Sequence, residues 1–108
     1  MATGFGDMQS LLKQAQEMQR RMQDTQRSLS ERILEGSSGG GVVRVFVNGN
    51  LELQAIKIDP AAVDPSDVET LEDLVTGAVK QALAQAKELR DREMAKVTGG
   101  LNLPGMGF

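Results

Sequence analysis

Residues 42–58, VVRVFVNGNLELQAIKI, decide the fold class. Val42 to Val47 alternates in the period of a strand and is rich in β-branched residues. Asn48-Gly49-Asn50 is a tight hairpin signal, and Leu51 to Ile58 returns as a second strand. Upstream, Arg32 to Ser37 is a candidate short strand, joined through the flexible run Gly36-Ser37-Ser38-Gly39-Gly40-Gly41. A three-residue loop predicts Val47 beside Leu51, Val45 beside Leu53 and Val43 beside Ala55, all on one face. Val42, Phe46, Ile56 and Ile58 then fall on the other face, so a small sheet is apolar on both sides. The chain's own helices cover one side, and a second subunit is expected to cover the other. The expected dimer contact is accordingly drawn from Val42, Val43, Val45, Phe46, Val47, Ile56 and Ile58.

On the N-terminal side the period changes to that of a helix, from Asp7 to about Ile33. Met8, Leu11, Ala15, Met18, Met22, Thr25 and Leu29 alternate by three and four, which keeps one seam toward a partner helix over ~39 Å. Lys13, Arg20 and Arg27 recur every seven residues on the far side, with Arg21 beside them. Two readings of this basic line stand together. Lys13–Glu17, Arg20–Asp24, Arg27–Glu31 and Glu17–Arg21 are all spaced for surface ion pairs, each worth only about 0.3 kcal/mol. The alternative is a binding face for an anionic polymer. Three of the four pairs place the cation first, the weaker order, which favours binding slightly.

On the C-terminal side Asp59-Pro60 ends the hairpin. Asp64 suits a helix N-cap, Pro65 the first helical position and Asp67 the amides of the first turn. The acidic group Glu69, Glu72 and Asp73 reads as a complement to the helix dipole rather than a metal site. Val68, Leu71, Val75, Ala78, Ala82, Gln85 and Leu89 repeat the seam spacing. Their small middle predicts an antiparallel helix pair in which Met18 and Met22 fill the space over Ala78, Ala82 and Ala86. Gly77 inside this helix marks a bend or a close crossing. Lys87, Arg90, Arg92 and Lys96 form a second cationic group, interleaved with Asp91 and Glu93.

Composition excludes most chemistry. The 108 residues contain no His, Cys, Trp or Tyr, which removes thiolate nucleophiles, Ser-His pairs, disulfides and most zinc sites. No cofactor and no small-molecule substrate are expected. The glycine run is not a phosphate loop, since it leads into a strand and no Gly-Lys-Ser/Thr follows. No apolar run approaches the roughly 18 residues of a membrane span, and the first residues lack a signal-peptide core. A single domain over 1–108 is expected, cytoplasmic, with 1–6 and 99–108 mobile. The net charge is −3, yet it is unevenly placed. Residues 10–32 and 76–98 each hold five cations against three anions, while 33–75 holds two against eight.

Four segments carry a resemblance. GFGDMQSLLKQAQEMQRRMQ (4–23), GGGVVRVFVNGNLELQAIKIDP (39–60), VETLEDLV (68–75) and MAKVTGGLNLPGMGF (94–108) together resemble the YbaB/EbfC family of bacterial nucleoid-associated proteins. The resemblance implies an α+β fold with a long N-terminal helix, a three-stranded antiparallel sheet and a C-terminal helical segment. It implies a homodimer joined through the sheets, whose helices project as arms that hold duplex DNA. It also implies a non-catalytic role in organising the nucleoid and modulating gene expression. The family has no invariant base-reading motif, so the contacts rest on charge and position: Lys13, Arg20, Arg21 and Arg27 first, then Lys87, Arg90, Arg92 and Lys96. A dimeric adaptor gripping another protein in replication or recombination is the other reading.

Overall fold

The computed structural model describes residues 3–99, with side chains from Asp7 onward. Two α-helices and three strands follow in order, α1 (Thr3–Glu31), β1 (Ile33–Ser38), β2 (Val43–Asn48), β3 (Leu53–Ile58) and α2 (Val68–Val97), with short 3-10 turns at Gly39–Gly41 and Pro60–Ala62. The three strands form one antiparallel sheet in sequence order. The helix of α1 starts at Thr3 rather than Asp7 and ends two residues before Ile33. The expectation of mobile ends concerns residues 1–2 and 100–108 as well, and these lie outside the described residues.

The hairpin differs from its expected register. Val45 stands opposite Ile56 instead of Leu53, and Val43 opposite Ile58 instead of Ala55, a slip of three residues. Two features cause it. The Asn48 N–H donates to the Glu52 carbonyl (2.9 Å), which leaves a longer turn in which Leu51 takes φ +63°, and the ladder is irregular between Phe46 and Val47. An odd slip turns the returning strand over. Ile56 and Ile58 therefore share the face of Val43 and Val45, and Ala55 joins Phe46 on the reverse. That reverse face also carries Glu35, Ser37, Arg44 and Lys57, so the expectation of two apolar faces is corrected: one face is apolar and the other mixed.

α2 covers the apolar face. Val43, Val45 and Val47 are fully buried against Ala78, Ala82 and Ala86. Each valine so buried is worth about 1.5 kcal/mol. The alanines thus receive the sheet, not Met18 and Met22, because Gly36 on β1 lets the backbones approach closely. A Cβ at Gly36 would stand 2.6 Å from the Ala82 nitrogen. Gly77 is not the crossing: a Cβ there would meet only the Ser38 Cβ, at 4.0 Å, and α2 runs through it as one helix. Two glutamines of α2 also reach the outer edge of β1. The Ser37 N–H donates to Gln81 Oε1 (2.6 Å), and Gln85 Nε2 donates to the Glu35 carbonyl (2.9 Å).

Between the sheet and α2, Asp64-Pro65-Ser66-Asp67 is a turn closed by the Asp67 N–H on the Asp64 carbonyl (2.9 Å). Pro65 occupies its second position. The N-cap is Asp67, not Asp64: its carboxylate accepts from the Thr70 N–H (3.3 Å) and hydroxyl (2.6 Å). The Asp64 carboxylate instead accepts from the Ser66 hydroxyl and N–H, which hold it below its usual pKa.

Candidate nucleic-acid interface

The arm is built by length. A helix of 29 residues extends about 43 Å, and the molecule measures 79 × 27 × 16 Å. The base of α1 is anchored at the hairpin. Leu29 is buried, its carbonyl accepts from the Gly49 N–H (2.8 Å), and Asn50 Nδ2 donates to the Gln26 carbonyl (2.9 Å). Higher up, α1 runs antiparallel to the last turns of α2. Arg21, Asp24 and Thr25 share a groove with Glu93, Lys96 and Val97, and Leu11, Ala15 and Met18 share the next one with Val97. Every residue from Asp7 to Glu17 is exposed. Met8, Leu11 and Leu12 belong to this free stretch, each about three-fifths exposed.

The cations of α1 divide into two sets. Lys13, Arg20 and Arg27 lie on the side away from Met18, Met22 and Leu29, as their spacing dictates, and all are exposed. Arg21 borders α2 instead. The ion pairs run mostly the other way from those expected. Glu17 receives both Arg20 (3.5 Å) and Arg21 (3.6 Å), and Arg27 turns back to Asp24 (3.9 Å). Of the four spacings read from the sequence, only Glu17–Arg21 is occupied. Arg20 and Arg27 each turn to the acid three residues before them instead of the one four residues after, and Glu17 is thereby taken by Arg20 and Arg21 rather than Lys13. Lys13 has no carboxylate within ion-pair distance among the described residues.

The cations of α2 do not form one face. Lys87 and Arg92 stand about 140° apart around the helix; Lys87 pairs with Asp91 (3.0 Å) and Arg92 with Glu88 (3.3 Å). Arg90 is half-buried. Lys96 holds Glu93 at 2.8 Å and meets Arg21 across the groove. The hydrogen bond from Lys96 holds the Glu93 carboxylate below its usual pKa; partial burial opposes this, and the charges of Lys96, Arg32 and Arg92 assist it. Arg21 and Lys96 are therefore the cations that the fold draws together from the two helices. Apart from Lys96–Glu93, whose carboxylate is partly buried, these pairs are solvated and individually weak, so an incoming phosphate can displace them at little cost.

The expected dimer residues separate in the same way. Val43, Val45 and Val47 are sealed under α2 inside the protomer, so they cannot touch another subunit, and Val42 packs half-buried beside them. Their alternation identified a buried face without saying what buries it. Ile56 and Ile58 lie on the same face, beyond the reach of α2, which packs over β1 and β2; each is 40% exposed. Phe46 is half-buried on the reverse face, with the Arg44 guanidinium 5.7 Å from its ring centre. Two structural groups escaped the sequence reading. Asn48 is 3% exposed; its side chain accepts from the Asn50 and Glu52 N–H groups and donates to the Ser30 carbonyl and Glu52 carboxylate. Gln81 and Gln85 close the edge of β1; the sequence placed Gln85 only as a position in the seam of α2, and the pair's one further signal is two amides spaced four apart.

Among the described residues no acidic cluster has the geometry to hold a metal ion, and no helix is long and apolar enough to cross a membrane. Comparison with known proteins adds the lineage. The profile of the YbaB/EbfC DNA-binding family matches residues 4–101. The chain is 55% identical over 102 residues to a nucleoid-associated protein of Moorella thermoacetica, covering 94% of this chain and 98% of that one. It is 50% identical over 103 residues to nucleoid-associated protein TTE0040 of Caldanaerobacter subterraneus subsp. tengcongensis, covering 95% and 92%. The crystal structure of the uncharacterized protein HP0035 from Helicobacter pylori has the same fold, with a TM-score of 0.62 at 24% identity over 72% of this chain and 90% of that one. A helix, a three-stranded sheet and a second helix, matched from end to end at these identities, place the chain in the YbaB/EbfC DNA-binding family.

Proposed function

We propose that this protein is a homodimeric nucleoid-associated protein that binds duplex DNA through phosphate contacts and, in the bacterial cytoplasm, helps organise the chromosome and modulate gene expression. It does so without catalysis. The observation that carries the reading is the far side of α1, which presents Lys13, Arg20 and Arg27 to solvent from the free arm down to the anchored base. Arg21 and Lys96 line the adjoining groove, with Lys87, Arg90 and Arg92 as a secondary set on α2. Phosphate contacts position a protein on DNA without specifying bases, so any sequence preference would come from groove shape. The chain is acidic overall, which makes long-range attraction weak and leaves affinity to these local cations.

The dimer contact we propose is the uncovered helix-side face of β3, Ile56 and Ile58. It is supported by the closure of the opposite sheet edge by Gln81 and Gln85, which leaves β3 as the open side. Fluorescence anisotropy on a labelled random duplex at two salt concentrations tests the DNA reading. Binding at low salt that weakens steeply with added salt is expected. Absence of binding at low salt would instead favour a protein-gripping adaptor, for which the exposed Met8, Leu11 and Leu12 supply an apolar surface.

A further inference from the structure

The reverse face of the sheet holds a donor row that, among the described residues, no helix covers. Ser37, Arg44 and Lys57 stand directly opposite one another across β1, β2 and β3. Side chains so opposed are separated by about 5 Å at Cβ, and like charges in that position repel. Arg44 and Lys57 are both exposed, and among the described residues neither lies within ion-pair distance of a carboxylate. Six cations of the helices, by contrast, are each paired. Two acids lie near the row. Glu35 is one row away, opposite Phe46, and the Asp59 carboxylate is occupied by the Ala61 N–H (2.9 Å). The guanidinium of Arg44 rests toward the Phe46 ring, 5.7 Å from its centre, which restrains it over the sheet.

We propose that Ser37, Arg44 and Lys57 form a second DNA-contacting site, separate from the arms, that receives one backbone phosphate of a duplex. The proposal rests on the DNA-binding reading above. A hydroxyl, a guanidinium and an ammonium rise from neighbouring positions of one row, and neither cation is held by a carboxylate among the described residues. A phosphate would satisfy all three and relieve the repulsion between Arg44 and Lys57. The site sits on rigid strands, so its geometry does not depend on the position of the arms.

The test separates stability from binding. In Lys57→Glu the repulsive pair becomes an attractive one, so the melting temperature should hold or rise. Duplex affinity at low salt should fall about fivefold, and the log–log salt slope should drop by roughly 0.9. Lys80→Glu makes the same charge change on the solvent side of α2 and should leave the slope unaltered. Lys57→Gln should lower the slope as Lys57→Glu does, and it stands in should the acidic variant fail to fold. If the wild type binds and the Lys57 variants match Lys80→Glu in slope and affinity, the sheet site is wrong while the arms stand. If the wild type does not bind duplex at low salt, the DNA reading fails and this site with it.

Discussion

Gly36 shows how one residue sets the distance between two layers. Its missing side chain is what lets the backbone of α2 at Ala78 and Ala82 rest on β1. Gly36→Ala would push the layers apart and open space around Val45, at a cost of about 3 kcal/mol. Urea denaturation should show a lower midpoint with little change in slope. Glu93 is the corresponding electrostatic case. Its pKa is depressed when folded, chiefly by the hydrogen bond from Lys96. Its contribution is therefore present above the unfolded value, about 4.3, and disappears as the pH falls through the folded one. With no histidine in the chain, the melting temperature should be nearly flat between about pH 5.5 and 8 and fall below about pH 4.5. Glu93→Gln should flatten part of that acid limb.

Among the elements, α1 divides into an anchored base and a free upper half. Lys13, Arg20 and Arg27 form no part of the anchored contact, so the triple alanine variant should melt close to wild type. It should lose most of its duplex affinity, about equally on all sequences. Wild-type binding by this variant would make the basic line a merely solvated face. In α2, Gly77 has room for a side chain. Gly77→Ala should raise stability by about 0.5–1 kcal/mol through helix propensity, readable as an upward shift in melting temperature. A close crossing there would produce the opposite sign.

For the whole molecule, the shape of the apolar face matters more than its size. One helix spans two of the three strands, and Ile56 and Ile58 remain as an open strip. If the proposed dimer forms through this strip, Ile58→Asp should yield a folded monomer in sedimentation velocity, because the strip lies outside the protomer's own core. Val45→Asp should unfold the chain instead, since it places a charge under α2. A folded wild-type monomer at micromolar concentration would remove the dimer.

How much of this was legible in the residues follows from the range of each interaction. Helix seams, strand alternation, the Asn48-Gly49 turn and the heptad spacing of Lys13, Arg20 and Arg27 are local periodicities, and they predict the elements and the solvent side of α1. The four segments of resemblance predict the family for the same reason, since they are runs of contiguous sequence. The register of β3 was not legible, because it depends on where the Asn48 side chain and backbone close the turn, and an odd slip exchanges its two faces. The partner of the alanine stripe was not legible either. Small residues invite any close neighbour, and the choice of β1 over α1 was made by Gly36, some forty residues distant in the chain. The pairing of Arg44 with Lys57 comes from that same register, so the donor row exists only once the sheet has formed.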